Sequence, residues 1–327
     1  MRTTVKSIIL KFKAARGFVQ LSLTVGLLSG TPSAVVAQAV VPGTGQHINK
    51  VGDGFEDPNW TYVFNLPKSS EEEDNQTRSP GGFSKNGRWF EGAKRGQPDV
   101  IKRVPTPEGG LPGSEGSLLM RSLHTGVPGS YSYSFKQDDL IINTSGRMGG
   151  AVSVSRSPSV VVCVYVPPWE QWEQRTGPSF GFRAALQAYK TERKTGFGRF
   201  GGSSSTKLET YWPGMFIHFT KGNGKDRADS ASLIVRGGPL GHDFNGPKIT
   251  EPGWWTLGMS FTPDGQVHYY AHAGIDELTA QDRISSQYPY GLSAVQLDAF
   301  FFNVVSGDNG QWSTPWIIDD PALFLAR

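Results

Sequence analysis

A single cysteine, Cys163, rules out any disulfide within the chain, even in a compartment that would permit one. Its surroundings, Val160-Val161-Val162-Cys163-Val164-Tyr165-Val166, read as a buried strand, where a thiol without a charged partner is inert. Long apolar runs are also missing. No stretch reaches the roughly 20 residues a membrane-spanning helix needs. Helical patterns alternating with strands are absent, which argues against a parallel α/β fold. H-E-x-x-H, G-x-S-x-G and phosphate-loop phrases do not occur, so the common sequence signatures of zinc proteases, serine hydrolases and nucleotide binders are lacking.

What the N-terminus does carry reads as a signal peptide over residues 1–39. Arg2, Lys6, Lys11, Lys13 and Arg16 precede an apolar stretch from Phe18 to Leu28, and Ala37-Gln38-Ala39 supplies a small-residue cleavage site. The whole chain has 32 Lys+Arg against 29 Asp+Glu, a net charge of +3. Removing five basic leader residues leaves 27 against 29, a net −2. The basic isoelectric point therefore belongs mostly to the leader, and a nucleic-acid partner is not expected. No membrane insertion of the mature chain is expected either, and its location should be extracellular or periplasmic.

The remaining chain is rich in turn-formers, with 41 Gly and 22 Pro, and 12% of the chain is aromatic. Runs of β-branched and aromatic residues predict strands near 116–123, 130–135, 150–156, 158–166, 179–189 and 208–220. More follow near 231–236, 253–261, 265–272, 297–305 and 315–325. The clearest hairpin joins Gly253–Phe261 to Gln266–Tyr270 through Thr262-Pro263-Asp264-Gly265. One short helix is expected from Asp276 to Ser285. Residues 40–115 look irregular, and Ser69 to Asp74 reads as a solvated acidic loop. The fold class that follows is all-β: an antiparallel β-sandwich of about eleven strands, as a single domain over 40–327.

Two sets of phrases resemble jelly-roll superfamilies of carbohydrate-active proteins. Val160–Val166, Gly177-Pro178-Ser179-Phe180-Gly181-Phe182-Arg183 and the Trp254–Tyr270 hairpin resemble the concanavalin A-like lectin/glucanase group. Gly52-Asp53-Gly54-Phe55-Glu56-Asp57-Pro58-Asn59-Trp60 and Trp316-Ile317-Ile318-Asp319-Asp320 resemble the opening and closing phrases of galactose-binding-like carbohydrate-binding modules. In such sandwiches the first and last strands are neighbours. The resemblance thus implies that Glu56 meets Asp319 or Asp320 at one edge, where hard oxygen ligands suit a structural Ca²⁺.

The resemblance also implies a polysaccharide or glycan partner. Trp169, Trp172, Trp212 and Trp312 lie among Gly, Pro and polar residues and are expected to be partly exposed, with flat faces for pyranose rings. Glucanases of this type carry an E-x-D-x-E alternation that keeps acids on one strand face, and none occurs here. Glu170 and Glu173, three apart, would point to opposite faces of a strand. His268 and His272 would stand about 13 Å apart on a strand, too far to share one zinc ion. The catalytic alternative is a polysaccharide lyase, with His218, Tyr270 and His272 as candidates for proton abstraction and enolate stabilisation. Lys190, Arg193, Lys194, Arg199 and Lys207 form a basic loop suited to a sulfated or uronate polymer. Three readings follow from the sequence: a secreted, non-catalytic carbohydrate binder; a lyase; or an extracellular interaction protein without a sugar site.

Overall fold

The computed structural model describes residues 38–193 and 204–327; the expected leader up to residue 37 and the centre of the basic loop lie outside the described residues. Nineteen strands are found among them. The first group is β1 (Gln46–Gly52), β2 (Tyr62–Val63), β3 (Phe83–Ser84), β4 (Trp89–Glu91), β5 (Val100–Pro105) and β6 (Gly116–Arg121). Next come β7 (Lys136–Ile142), β8 (Val152–Ser153), β9 (Pro158–Val166), β10 (Gly177–Arg193), β11 (Ser204–Tyr211) and β12 (Gly214–Thr220). The last are β13 (Ser230–Arg236), β14 (Asp243–Ile249), β15 (Gly253–Phe261), β16 (Val267–Ala273), β17 (Arg283–Gln287), β18 (Gln296–Ser306) and β19 (Trp316–Leu325). Two short helices, α1 (Glu71–Asp74) and α2 (Thr144–Met148), interrupt them.

The strands form two antiparallel sheets, as the alternating pattern predicts. Sheet A runs β17-β16-β15-β9-β19-β6-β5, with β1 also on β19. Sheet B runs β14-β13-β12-β10-β18-β7-β4-β3-β2, with β11 on β10 and β8 on β18. Period-two alternation then sends one face of each central strand inward. From β9 these are Val160, Val162, Val164 and Val166; from β10, Phe180, Phe182, Ala184 and Leu186. Trp316 of β19 packs on Phe180 at 4.9 Å between ring centroids and meets Trp172 edge-on at 5.0 Å. Phe302 of β18 continues this seam to Phe182 and Trp89, so aromatic rings tie the two sheets together.

The hairpin at 253–273 forms as expected. Gly265 takes a positive φ of 83°, and an added Cβ there would meet the Ala294 nitrogen at 2.7 Å. Cys163 is buried on the outer side of sheet A, under Pro42 and Leu278, and burial pushes its thiol up to about 11. At neutral pH it stays protonated and unreactive.

Other segments depart from expectation. Residues 130–135 form bends, and the strand begins at Lys136, because the charged run Lys136-Gln137-Asp138-Asp139 hides an inward-facing edge. Asp276 to Ser285 make a single 3-10 turn, Ala280–Asp282, capped by Thr279, then enter β17. Pairing of Ser285 with Tyr269 takes the residues that would have continued a helix. The stretch at 69–74 is solvated only in part: Glu71, Glu72 and Glu73 are exposed, but Ser69 and Ser70 are buried, and Glu71–Asp74 close one helical turn instead of a loop. The irregular region 40–115 supplies β1 to β5, strands short enough to carry little periodic signal. Among the described residues, no helix is long and apolar enough to cross a membrane.

Candidate functional site: a groove on the outer face of sheet B

Where inward residues of sheet B build the core, the residues between them face outward. Ala185 of β10 and Ala299 and Phe301 of β18 form a small second apolar cluster there, with Ile141 and Trp212 packed against it. They floor a cavity of about 280 Å³ that Lys94, Arg95, Asp139 and Arg183 also line. A neighbouring cavity of about 180 Å³ shares Glu72 and Arg95 with it and extends past Phe216, Arg236 and Lys136. Their shared wall is an ion pair, Arg95 to Glu72 at 2.7 Å.

Arg183 is the deepest cation in this groove, only 7% exposed. Its Nε and Nη2 donate to the Trp212 carbonyl at 3.1 and 2.6 Å. The guanidinium lies over Phe301 at 5.4 Å and Phe216 at 5.6 Å. Burial pulls it down to about 10, which leaves it charged at neutral pH. Asp139 accepts from Gln137 and Asn303 at 2.9 and 2.6 Å, and its other oxygen stands 3.8 Å from Arg95. Burial raises this carboxyl above the usual range, with Arg95 and Arg183 opposing the shift. Lys94 sits over the Trp212 ring at 4.4 Å.

The wall carrying Lys94 and Arg95 is pinned from below. Lys68 donates to Asp138 at 2.6 Å and to Asp99 at 3.2 Å, deep between the sheets. Glu91 accepts from Ser69, Gly82 and Asn65 at 2.6, 2.9 and 2.7 Å, fixing the start of the same segment. Sequence reasoning missed Lys94, Arg95, Asp139 and Arg183. The only signal was that Asp139 and Arg183 occupy strand positions between core residues.

The four tryptophans expected to meet a sugar do not share one surface. Trp212 lines the groove. Trp172 is buried in the core, 3% exposed, with its indole donating to the Pro167 carbonyl at 2.8 Å, so its expected exposure is corrected. Trp169 is half-buried against Trp172 and Phe219. Trp312 is exposed, with Arg121 over its ring at 5.2 Å. Glu170 lies in a 3-10 turn and Glu173 is buried beside Arg175 at 2.8 Å.

His218, Tyr270 and His272 are not brought together. On β12, Met215, Ile217 and Phe219 face the core, so His218 points out from sheet B. On β16, Tyr269 and Ala271 face the core, so Tyr270 and His272 point out from sheet A. The trio is thus divided between opposite faces of the sandwich. His268, two pleats from His272, is spent on hydrogen bonds to Thr262 and Ser286 at 2.9 and 2.7 Å.

At the expected metal edge, β1 does pair with β19, with Gly52 opposite Ala322. Asp320, at a positive φ of 44° in a bulge, lies against Gly54, and its carboxyl is raised by burial and by Glu56. Asp319 turns the other way, accepting from Ser114 at 2.7 Å and from the Asp320 nitrogen at 3.0 Å. Glu56 accepts from the Glu115 nitrogen at 3.0 Å. Asp53 is also taken, by the indoles of Trp60 and Trp89 and by Asn86, at 2.9, 3.2 and 2.7 Å. Among the described residues no three His, Cys, Asp or Glu converge as a metal centre, so Glu56, Asp319 and Asp320 do not form one together.

No protein-family model and no curated protein matches this chain. Solved structures similar to it include a carbohydrate esterase from Shiga toxin-encoding bacteriophage phi24B, at 10% identity and a TM-score of 0.42. That alignment covers 80% of this chain and 97% of the other. A GH131 β-glucanase catalytic domain from Podospora anserina aligns at 12% identity over 84% and 94%, with a TM-score of 0.40. The VIP36 exoplasmic/lumenal domain bound to Ca²⁺ and Man3GlcNAc aligns at 11% over 73% and 84%, with a TM-score of 0.31. Identities and scores this low carry no argument about chemistry.

The edge makes a pH prediction. Burial pushes the Asp319 carboxyl up to about 7 from its ordinary 3.8. Between those values the folded chain holds a proton that the unfolded chain has released, so this group's contribution to stability falls as pH rises through the window. Asp319→Asn still accepts from the Asp320 nitrogen and turns the Ser114 contact round, its amide donating to Oγ, without the ionisation. Its melting temperature at about pH 8 should exceed the parent's by about 2 °C or more, and the gap should close near pH 4. A gap that widens toward low pH would contradict the assignment.

Proposed function

We propose that this chain is an exported carbohydrate-binding β-sandwich that takes its glycan in the groove on the outer face of sheet B. The observation that carries the reading is the groove's make-up. Half-buried Trp212 offers ring surface beside Lys94, and Asp139, Arg183 and Arg95 converge on the same cavity. Apolar ring faces with a few fixed polar groups suit a pyranose, whose C–H faces and hydroxyl rim present the matching pattern. The lyase alternative, with His218, Tyr270 and His272 as candidates, finds His218 on one face of the sandwich and Tyr270 and His272 on the other, and no observation favours it. An interaction protein without a sugar site remains the outcome if no glycan binds.

A glycan array on the full chain tests the proposal, with at least one polysaccharide class expected to be retained. Trp212→Ala should weaken that binding about tenfold, while Trp312→Ala leaves it unchanged. A blank array, or equal losses from both substitutions, would remove the groove as the binding site.

Export rests on the basic, then apolar, then small-residue order of the first 39 residues. N-terminal sequencing of protein recovered outside the producing cell should begin at Val40; an intact Met1 in that material counts against cleavage. Calcium at the β1–β19 edge would rest on Glu56 and Asp320 without Asp319. A melting temperature equal in calcium and in chelator would remove it.

A further inference from the structure

The groove lining balances in number, with Lys94, Arg95 and Arg183 against Glu72, Asp139 and Asp298, but not in pairing. Most of its charges are paired: Arg95 with Glu72, Lys136 with Glu73 and Arg236 with Asp243. Arg183 is not. Among the described residues its polar contacts are to the Trp212 carbonyl, a neutral acceptor, and no carboxylate comes within ion-pairing distance. Asp139, whose charge acts on it through the cavity, already accepts two side-chain hydrogen bonds and makes none with Arg183. Lys94, the other cation of the same cavity, stands over the face of Trp212 and likewise has no acidic partner among the described residues.

A buried guanidinium without an ion-paired carboxylate is costly, and solvating it with aromatic faces and one carbonyl recovers only part of that cost. Such a cation is kept where an oxyanion arrives to complete it. The geometry points to an anionic glycan as the ligand of this groove, with a carboxylate or sulfate ester set between Arg183 and Lys94 and the sugar ring beside Trp212. This inference rests on the groove being the glycan site and adds the charge class of the glycan. General attraction does not supply the effect, because the chain's net charge is only +3 before any leader is removed.

The test compares four polymers on the full chain by affinity electrophoresis and calorimetry: a polyuronate, the same polymer with its carboxyls reduced to alcohols, a sulfated galactan and a neutral β-glucan. Binding to at least one anionic polymer is expected, about tenfold tighter than to the neutral pair and weakening between about 50 and about 300 mM salt. The polyuronate and sulfated arms tell which oxyanion is preferred. Arg183→Gln should abolish the anionic preference. Because that change also frees the Trp212 carbonyl, Lys94→Gln on the exposed wall provides a second reading, with a loss of about threefold or more for the anionic polymer and none for the neutral glucan. Equal binding of the polyuronate and its reduced form overturns the inference while leaving glycan binding intact. Binding to none of the four, together with a blank array, overturns both.

Discussion

Period-two alternation along β10 and β18 is the constraint on which both halves of this molecule depend. Each residue sent inward obliges the next to face out, so the core and the groove are written on the same strands. Phe182 and Phe302 stack in the core. One residue on, Arg183 and Phe301 lie on the other side, in direct register across the two strands. A shift of one position in the pairing would bury the guanidinium in the core and expose the aromatic seam. The seam therefore does more than stabilise the sandwich; it fixes which residues the groove receives.

The second layer of organisation is polar. Asp138 and Asp139 are adjacent on β7, and alternation assigns them opposite tasks. Asp138 faces inward and pairs with Lys68, anchoring the segment that ends in the groove wall; Asp139 faces outward and joins the floor. A buried ion pair of this kind is weak evidence for stability, since desolvation offsets most of its attraction. Its effect here is positional: it holds a stretch with little regular structure against a sheet edge. The acidic run after Lys68 completes the arrangement by supplying Glu72 and Glu73, which reach back to Arg95 and Lys136.

Legibility in the sequence followed signal length. The strand 158–166 was readable to the residue because β-branched residues fill it on both faces, and the 253–273 hairpin because Asp264-Gly265 marks its turn. The start of β7 is hidden because charges occupy both of its faces, Asp138 inward and Asp139 outward. The expected helix at 276–285 yielded to strand pairing, which local capping signals do not register. For the site, the tryptophans were judged by their neighbours in sequence. Trp172 sits among polar residues yet stacks on Phe219 at 4.7 Å, a contact 47 positions away.

Composition and alternation alone were enough for an all-β sandwich with a buried, unreactive cysteine, because these depend on local pattern; the neighbouring first and last strands followed only from the resemblance. Which side chains share a surface depended on register and on loop paths, both set by contacts far apart in the chain. His218 and Tyr270 look like partners as letters but are separated by the full thickness of the sandwich. Lys94, Asp139 and Arg183, distant in the sequence, meet because β7, β18 and β10 pair side by side and the loop after β4 bonds back to the Asp139 backbone through Gly92 and Gly96.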